Sequence, residues 1–168
     1  MTAVLLVEVQ NASVVDSAPP DEEIRACLEE TIRRVHPDSP RDVDITVRLV
    51  DEEEGRALNR KFRQQDKATN VLSFPAELDT LPDEIARPLG DIVICGPLVE
   101  REAAEQGKAA TSHWNHLLVH GALHLLGFDH ETEDEAAIME SLEIEILARR
   151  GIADPYRGQK HITDTMAG

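Results

Sequence analysis

The chain has 168 residues and a mass of 18.6 kDa, the size of one domain. Its 17 Lys and Arg against 33 Asp and Glu leave a formal charge of −16, which argues against a sequence-blind binder of nucleic acid, because phosphate neutralisation needs clustered cations. A 41% hydrophobic content with only five aromatic residues predicts a mainly aliphatic core, and no apolar run approaches the ~18 residues of a membrane-spanning helix.

Residues 3–9 read as a first strand rather than a signal peptide, since the apolar run is short, lacks a basic lead-in and meets Glu8. Pro20 suits the first turn of a helix, and Ile24, Cys27, Leu28, Ile32 and Val35 recur at helical spacing until His36-Pro37. Val43, Ile45, Val47 and Leu49 alternate with polar residues, as in a half-buried strand. From Asp51 to about Arg63 the pattern is helical, with acids first and bases last, in accord with the helix dipole. Residues 71–74 form a short strand closed by Pro75, and 75–90, with three prolines and several acids, read as a loop. A buried strand at 91–95 ends at Gly96-Pro97, and the following helix runs to Gln106 with Gly107 as its cap.

The last third is helical. One helix is expected from about Ser112 to Leu126. A second begins at Thr132, where Thr132 and Glu135 form a capping box, carries Ala136, Met139, Leu142, Ile146 and Leu147 as its apolar stripe, and stops at Gly151. The tail 161–168 reads as disordered, leaving one domain over residues 1–160. Strands mixed with segregated helices predict an α+β class, with a small mixed sheet and about five helices. Cys27 and Cys95 lie far apart and outside any C-x-x-C motif, so they read as small buried residues in a reducing cytoplasm.

Five of the seven histidines fall between positions 113 and 130. His120 and His124, four apart, share one face of a helix, with Cα atoms about 6 Å apart along the axis, so both imidazoles can reach one ion. On a continuous helix His130 would lie about 15 Å from His120 along the axis. Gly127 offers the turn that brings it back. The spacing of His120, His124, Gly127 and His130 matches the metzincin pattern of zinc proteases. Those enzymes carry their general base, a Glu, directly after the first His, and here that position is Gly121. The sequence therefore predicts three protein ligands with an open fourth position, without the usual route to peptide hydrolysis. His116 shares the face of His120 and could pair with it, but only the 120/124/130 set contains the glycine turn. His113 and His116 are read as non-ligands, with support or substrate contact open to them. Asp129 could orient a ligand imidazole or satisfy its own turn. Three imidazoles suit Zn²⁺, one per chain, although nickel, copper and iron accept them too.

The run His120-Gly-Ala-Leu-His-Leu-Leu-Gly-Phe-Asp-His130 resembles the signature of the bacterial YbeY proteins. The resemblance extends to Leu58–Arg63 with Thr69–Pro75, to Leu89–Ile94, and to Glu145–Tyr156 with its Asp154-Pro155-Tyr156 end. It implies a zinc-dependent endoribonuclease specific for single strands, acting in 16S rRNA 3′-end maturation and ribosome quality control. It also implies contacts with the small ribosomal subunit and a ribosome-associated GTPase. The resemblance puts the metal on His120, His124 and His130 and a functional arginine at Arg63. Phe62, Phe128 and Gln64-Gln65 stand where the family often has Tyr, Tyr and Gly-Lys. Residues 56–67 hold five bases and one acid, a local +4, in which Arg60, Lys61, Arg63 and Lys67 are candidate RNA contacts. Residues 131–145 hold seven acids and no base, so the charge is segregated and the −16 total does not exclude an RNA substrate. Two rivals follow from the same residues: a ribosome-assembly factor with a structural zinc, and a metalloprotease-like hydrolase with a substitute base.

Overall fold

The structure, a computed structural model, describes residues 5–37, 42–76 and 87–157. Four strands, β1 (Leu5–Asn11), β2 (Val43–Val50), β3 (Val71–Pro75) and β4 (Arg87–Cys95), form one sheet in the order β1-β2-β4-β3. β1 pairs parallel with β2 and β2 with β4, whereas β3 runs antiparallel to β4 at the sheet edge. Among the described residues five helices accompany the sheet: α1 (Asp21–Val35), α2 (Glu52–Arg63), α3 (Gly96–Glu105), α4 (Ala110–Leu125) and α5 (Glu133–Arg149). The α+β class, the mixed sheet and the five helices agree with the sequence reading.

The alternation in β2 decides which face becomes core. Val43, Ile45, Val47 and Leu49 are buried, and Asp44, Thr46 and Arg48 are only partly covered, the pattern of a strand with one face on the core. The main core lies between that face and α1, α4 and α5, with Ile92, Ile94, Trp114, Leu117, Leu118 and Leu123 at its centre. Each such side chain taken fully from water contributes roughly 1.5–3 kcal/mol. A smaller cluster of Val50, Leu72, Val93 and Cys95 covers the opposite face, where Leu58 of α2 packs. Thus α4 and α2 flank opposite faces of the sheet, and both reach its β3 edge. Cys27 and Cys95 are buried free thiols, and burial pushes the Cys27 thiol up to about 12, so both behave as apolar packing.

Two expectations need correction. Residues 75–90 are not all loop, because β4 begins at Arg87 and Pro75 closes β3 from within. Pro88 is tolerated because a bulge interrupts the β2–β4 register there, with Asp44 opposite Pro88 and Ile45 opposite Gly90. Gly90 takes φ 137°, a backbone conformation open to glycine. The capping box is half present: Thr132 Oγ1 accepts from the Glu135 N–H at 3.1 Å. Positions 77–86 of the expected loop and the expected tail 161–168 lie outside the described residues.

Candidate metal centre

Helix α4 is the strut of the site. Every residue from His113 to Leu125 is buried, so its histidines are held by packing on all sides. It ends in a Schellman motif: Phe128 N–H donates to Leu123 O at 3.0 Å and Gly127 N–H to His124 O at 3.0 Å, with Gly127 at φ 100°. The chain then doubles back. Asp129 Oδ1 accepts the His130 N–H at 2.8 Å, which fixes the turn, so Asp129 serves its own backbone.

The result brings His120, His124 and His130 together. One ring nitrogen from each lies within 4.8 Å of the others. Nε2 of His120 and Nε2 of His124 are 3.1 Å apart. Two ligands bound tetrahedrally at 2.0–2.1 Å would stand roughly 3.3 Å apart, so this spacing suits coordination. His130 Nε2 is buried and has no hydrogen-bond partner. Burial, followed by the nearby His120 and His130, pushes the His124 imidazole down to about 4, so its ring is neutral near pH 7, the form that ligates a metal. An orphaned nitrogen that converges with two further imidazoles fits a divalent transition-metal cation, and the three residues could hold one.

The ligand-bearing helix is supported by carboxylates that sequence reasoning did not assign. Glu143 of α5, 1% exposed, lies with Oε2 3.2 Å from His120 Nδ1 and 2.8 Å from His116 Nε2. Its Oε1 accepts from the Tyr156 hydroxyl at 2.8 Å. Burial works to raise the Glu143 pKa, but the charge and hydrogen bond of His116 and the hydrogen bond from His120 outweigh it and hold the carboxyl well below the ordinary range. His116 is therefore engaged by Glu143 and does not compete for the ion. One turn earlier, His113 Nε2 lies 2.8 Å from Glu102 Oε1, which also accepts from Asn70 Nδ2 at 3.0 Å. A signal for Glu143 existed: an acid at position 143 falls on the apolar stripe between Met139 and Ile146–Leu147, which are buried.

Gly121 stands where a zinc protease carries its base. A Cβ there would lie 2.9 Å from Ile92 Cγ2 and 3.3 Å from Ser73 Oγ, so the helix–sheet seam leaves no room for Glu. Its carbonyl accepts the Ser73 hydroxyl at 3.1 Å, and Ser73 O in turn accepts from Arg63 Nη2 at 2.7 Å. Arg63 is thus tied through β3 to the residue beside His120. Its guanidinium also lies 5.3 Å from the Phe74 ring centroid.

The other basic residues are looser. Arg56 is paired with Asp66 at 2.8 Å and 3.0 Å, which leaves the local +4 on Arg60, Lys61, Arg63 and Lys67. Arg60, Lys61 and Lys67 are exposed, and Lys61 Nζ sits 5.1 Å over the ring of Phe62, itself half exposed. His130 also borders a groove of about 630 Å³ walled by Glu131, Glu133 and Glu140. Buried Glu143 does not belong to that acidic surface.

A family model described as Endoribonuclease YbeY matches residues 8–151. Proteins named Endoribonuclease YbeY are similar throughout: that of Halorhodospira halophila is 56% identical over 84% of this chain and 90% of its own length. That of Pseudomonas putida is 52% identical over 90% and 94%, and that of Xanthomonas oryzae pv. oryzae is 61% identical over 71% and 76%. The solution structure of TM1509 from Thermotoga maritima shares the fold, with a TM-score of 0.54 at 24% identity over 93% of this chain and all of that one. With a family match across most of its length and relatives above half identity, the chain belongs to the YbeY endoribonuclease family.

Proposed function

We propose that the protein is a metal-dependent endoribonuclease that cuts single-stranded RNA in the maturation of the 16S rRNA 3′ end and in ribosome quality control. The observation that carries this reading is the buried convergence of three imidazole nitrogens, one of them orphaned, in a chain of an endoribonuclease family. His120, His124 and His130 would hold Zn²⁺, one per chain. When bound, the ion would supply Lewis acidity and water activation near neutral pH.

The chain's own residues do the rest. Arg63, anchored to β3, clamps a phosphate through its fixed fork of donors and offsets charge that develops during cleavage. Arg60, Lys61 and Lys67 form the approach, an exposed basic strip beside a predominantly acidic surface. The acidic groove next to His130 repels the backbone and leaves the α2 side as the entrance. Affinity is then weak and local, which suits delivery by the small ribosomal subunit and a ribosome-associated GTPase in the cytoplasm. Among the described residues no helix is long and apolar enough to cross a membrane. The crowded seam at Gly121 argues against a protease.

The test uses protein purified without a metal-affinity tag. Elemental analysis is paired with cleavage of single-stranded RNA before and after chelation, and zinc restores the activity lost to chelator. Unchanged cleavage in chelator sinks the metal mechanism.

A further inference from the structure

We infer that Glu143 is the positioning residue of the metal centre, and that the C-terminal turn bearing Tyr156 locks it in place. This inference rests on the metal reading above and extends it to residues outside the ligand set.

A neutral imidazole carries one proton and one lone pair, and the partner of one nitrogen decides which form is present. At His120, Nδ1 faces Glu143 Oε2 and Nε2 faces His124 Nε2. An ionised carboxylate only accepts, so it selects the form with the proton on Nδ1, which donates to Glu143. The lone pair is then on Nε2, the atom pointing into the cluster. The carboxylate also sets the tilt of the ring and makes Nε2 a better donor to a cation.

Glu143 is itself over-determined. Oε2 accepts from His116 Nε2 at 2.8 Å as well as from His120, and Oε1 accepts from the Tyr156 hydroxyl at 2.8 Å. The same hydroxyl lies 3.2 Å from His116 Nε2. A carboxylate that is 1% exposed cannot rely on water, so these three donors keep it charged and fixed. Tyr156 arrives from the turn after α5, where its own N–H is held by Asp154 Oδ1 at 2.8 Å. The segment that follows α5 therefore closes over the back of the centre and braces a ligand through two side chains.

The experiment measures zinc affinity of the metal-stripped full chain by competition with a chromophoric chelator. Wild type, Glu143→Gln and Tyr156→Phe are compared, with thermal unfolding of each stripped protein in parallel. Gln keeps the shape and an acceptor but not the charge. Glu143→Gln weakens zinc binding by about ten- to a hundredfold, and Tyr156→Phe weakens it less, while the stripped Tyr156→Phe protein still unfolds cooperatively. A Glu143→Gln protein that binds zinc within about twofold of wild type overturns the inference. Should that variant not fold, long-range nitrogen NMR of zinc-loaded wild type decides: His120 protonated at Nδ1 and ligating through Nε2 upholds it, and ligation through Nδ1 overturns it. A wild type that takes up no divalent metal overturns the metal reading and this inference with it, an outcome distinct from a variant that matches a metal-binding wild type.

Discussion

The two halves of the site are built to opposite standards. At the α4 end every functional nitrogen is buried, and His120 has a carboxylate behind it. At the α2 end Arg60, Lys61 and Lys67 stand in solvent, Arg56 is paired with Asp66, and Arg63 is tied to β3 through one carbonyl. Packing around α4 and the Glu143 carboxylate fix the histidine rings there, so the α4 end is pre-organised before any ligand arrives. Exposed lysines and arginines keep their rotamer freedom, which suits a substrate of variable sequence and shape. Under the proposed function, rigidity falls where reacting atoms would be held, and looseness where RNA would be accepted.

Five variants put this contrast to the test. His120→Ala removes a ligand from the rigid end, and RNA cleavage falls by more than about a hundredfold, with zinc content by elemental analysis falling in step. Arg63→Ala lowers kcat by about a hundredfold, the scale seen when one preorganised donor to developing charge is lost, while zinc content stays at the wild-type level. Loss of zinc in that variant would show that the two ends are not separable. Gly121→Glu forces a side chain against Ile92 and Ser73 and destabilises the fold by about 1–3 kcal/mol, read as a lower urea midpoint, with no peptidase activity gained. Arg60→Gln combined with Lys61→Gln raises KM a few-fold at low salt and flattens the salt dependence, with kcat nearly unchanged. Smallest is Gln64→Gly. Gln64 caps α2 at φ 60°, a left-handed conformation that favours glycine, so the change raises stability by up to about 1 kcal/mol and leaves metal binding alone.

The divide between what was legible in the sequence and what was not follows the range of the interactions. The convergence of His120, His124 and His130 was legible because an i, i+4 pair and a glycine turn are local geometry. The strand alternation in β2 was legible for the same reason. The start of β4 was not, because Pro88 reads as a breaker until the bulge against Asp44 and Ile45 is known. Glu143 and Tyr156 stand 23 and 36 residues from His120 in sequence, and only the packing of α5 on α4 joins them. Glu143 falls among the seven acids of 131–145, and only its place on the apolar stripe of α5 marks it as buried. The reason for glycine at 121 was equally hidden, since it depends on where β3 and β4 run beneath the helix.

That seam also bears on which enzymes this scaffold can become. Three histidines at protease spacing invite the idea that one substitution would convert a nuclease into a peptidase. The distance between α4 and the sheet closes that route, because a glutamate at 121 has nowhere to stand until Ile92 and Ser73 are reshaped as well. Ser73 cannot be given up lightly, since its hydroxyl holds the Gly121 carbonyl. A path to the other chemistry would therefore need coordinated changes at Gly121, Ile92 and Ser73 rather than one substitution.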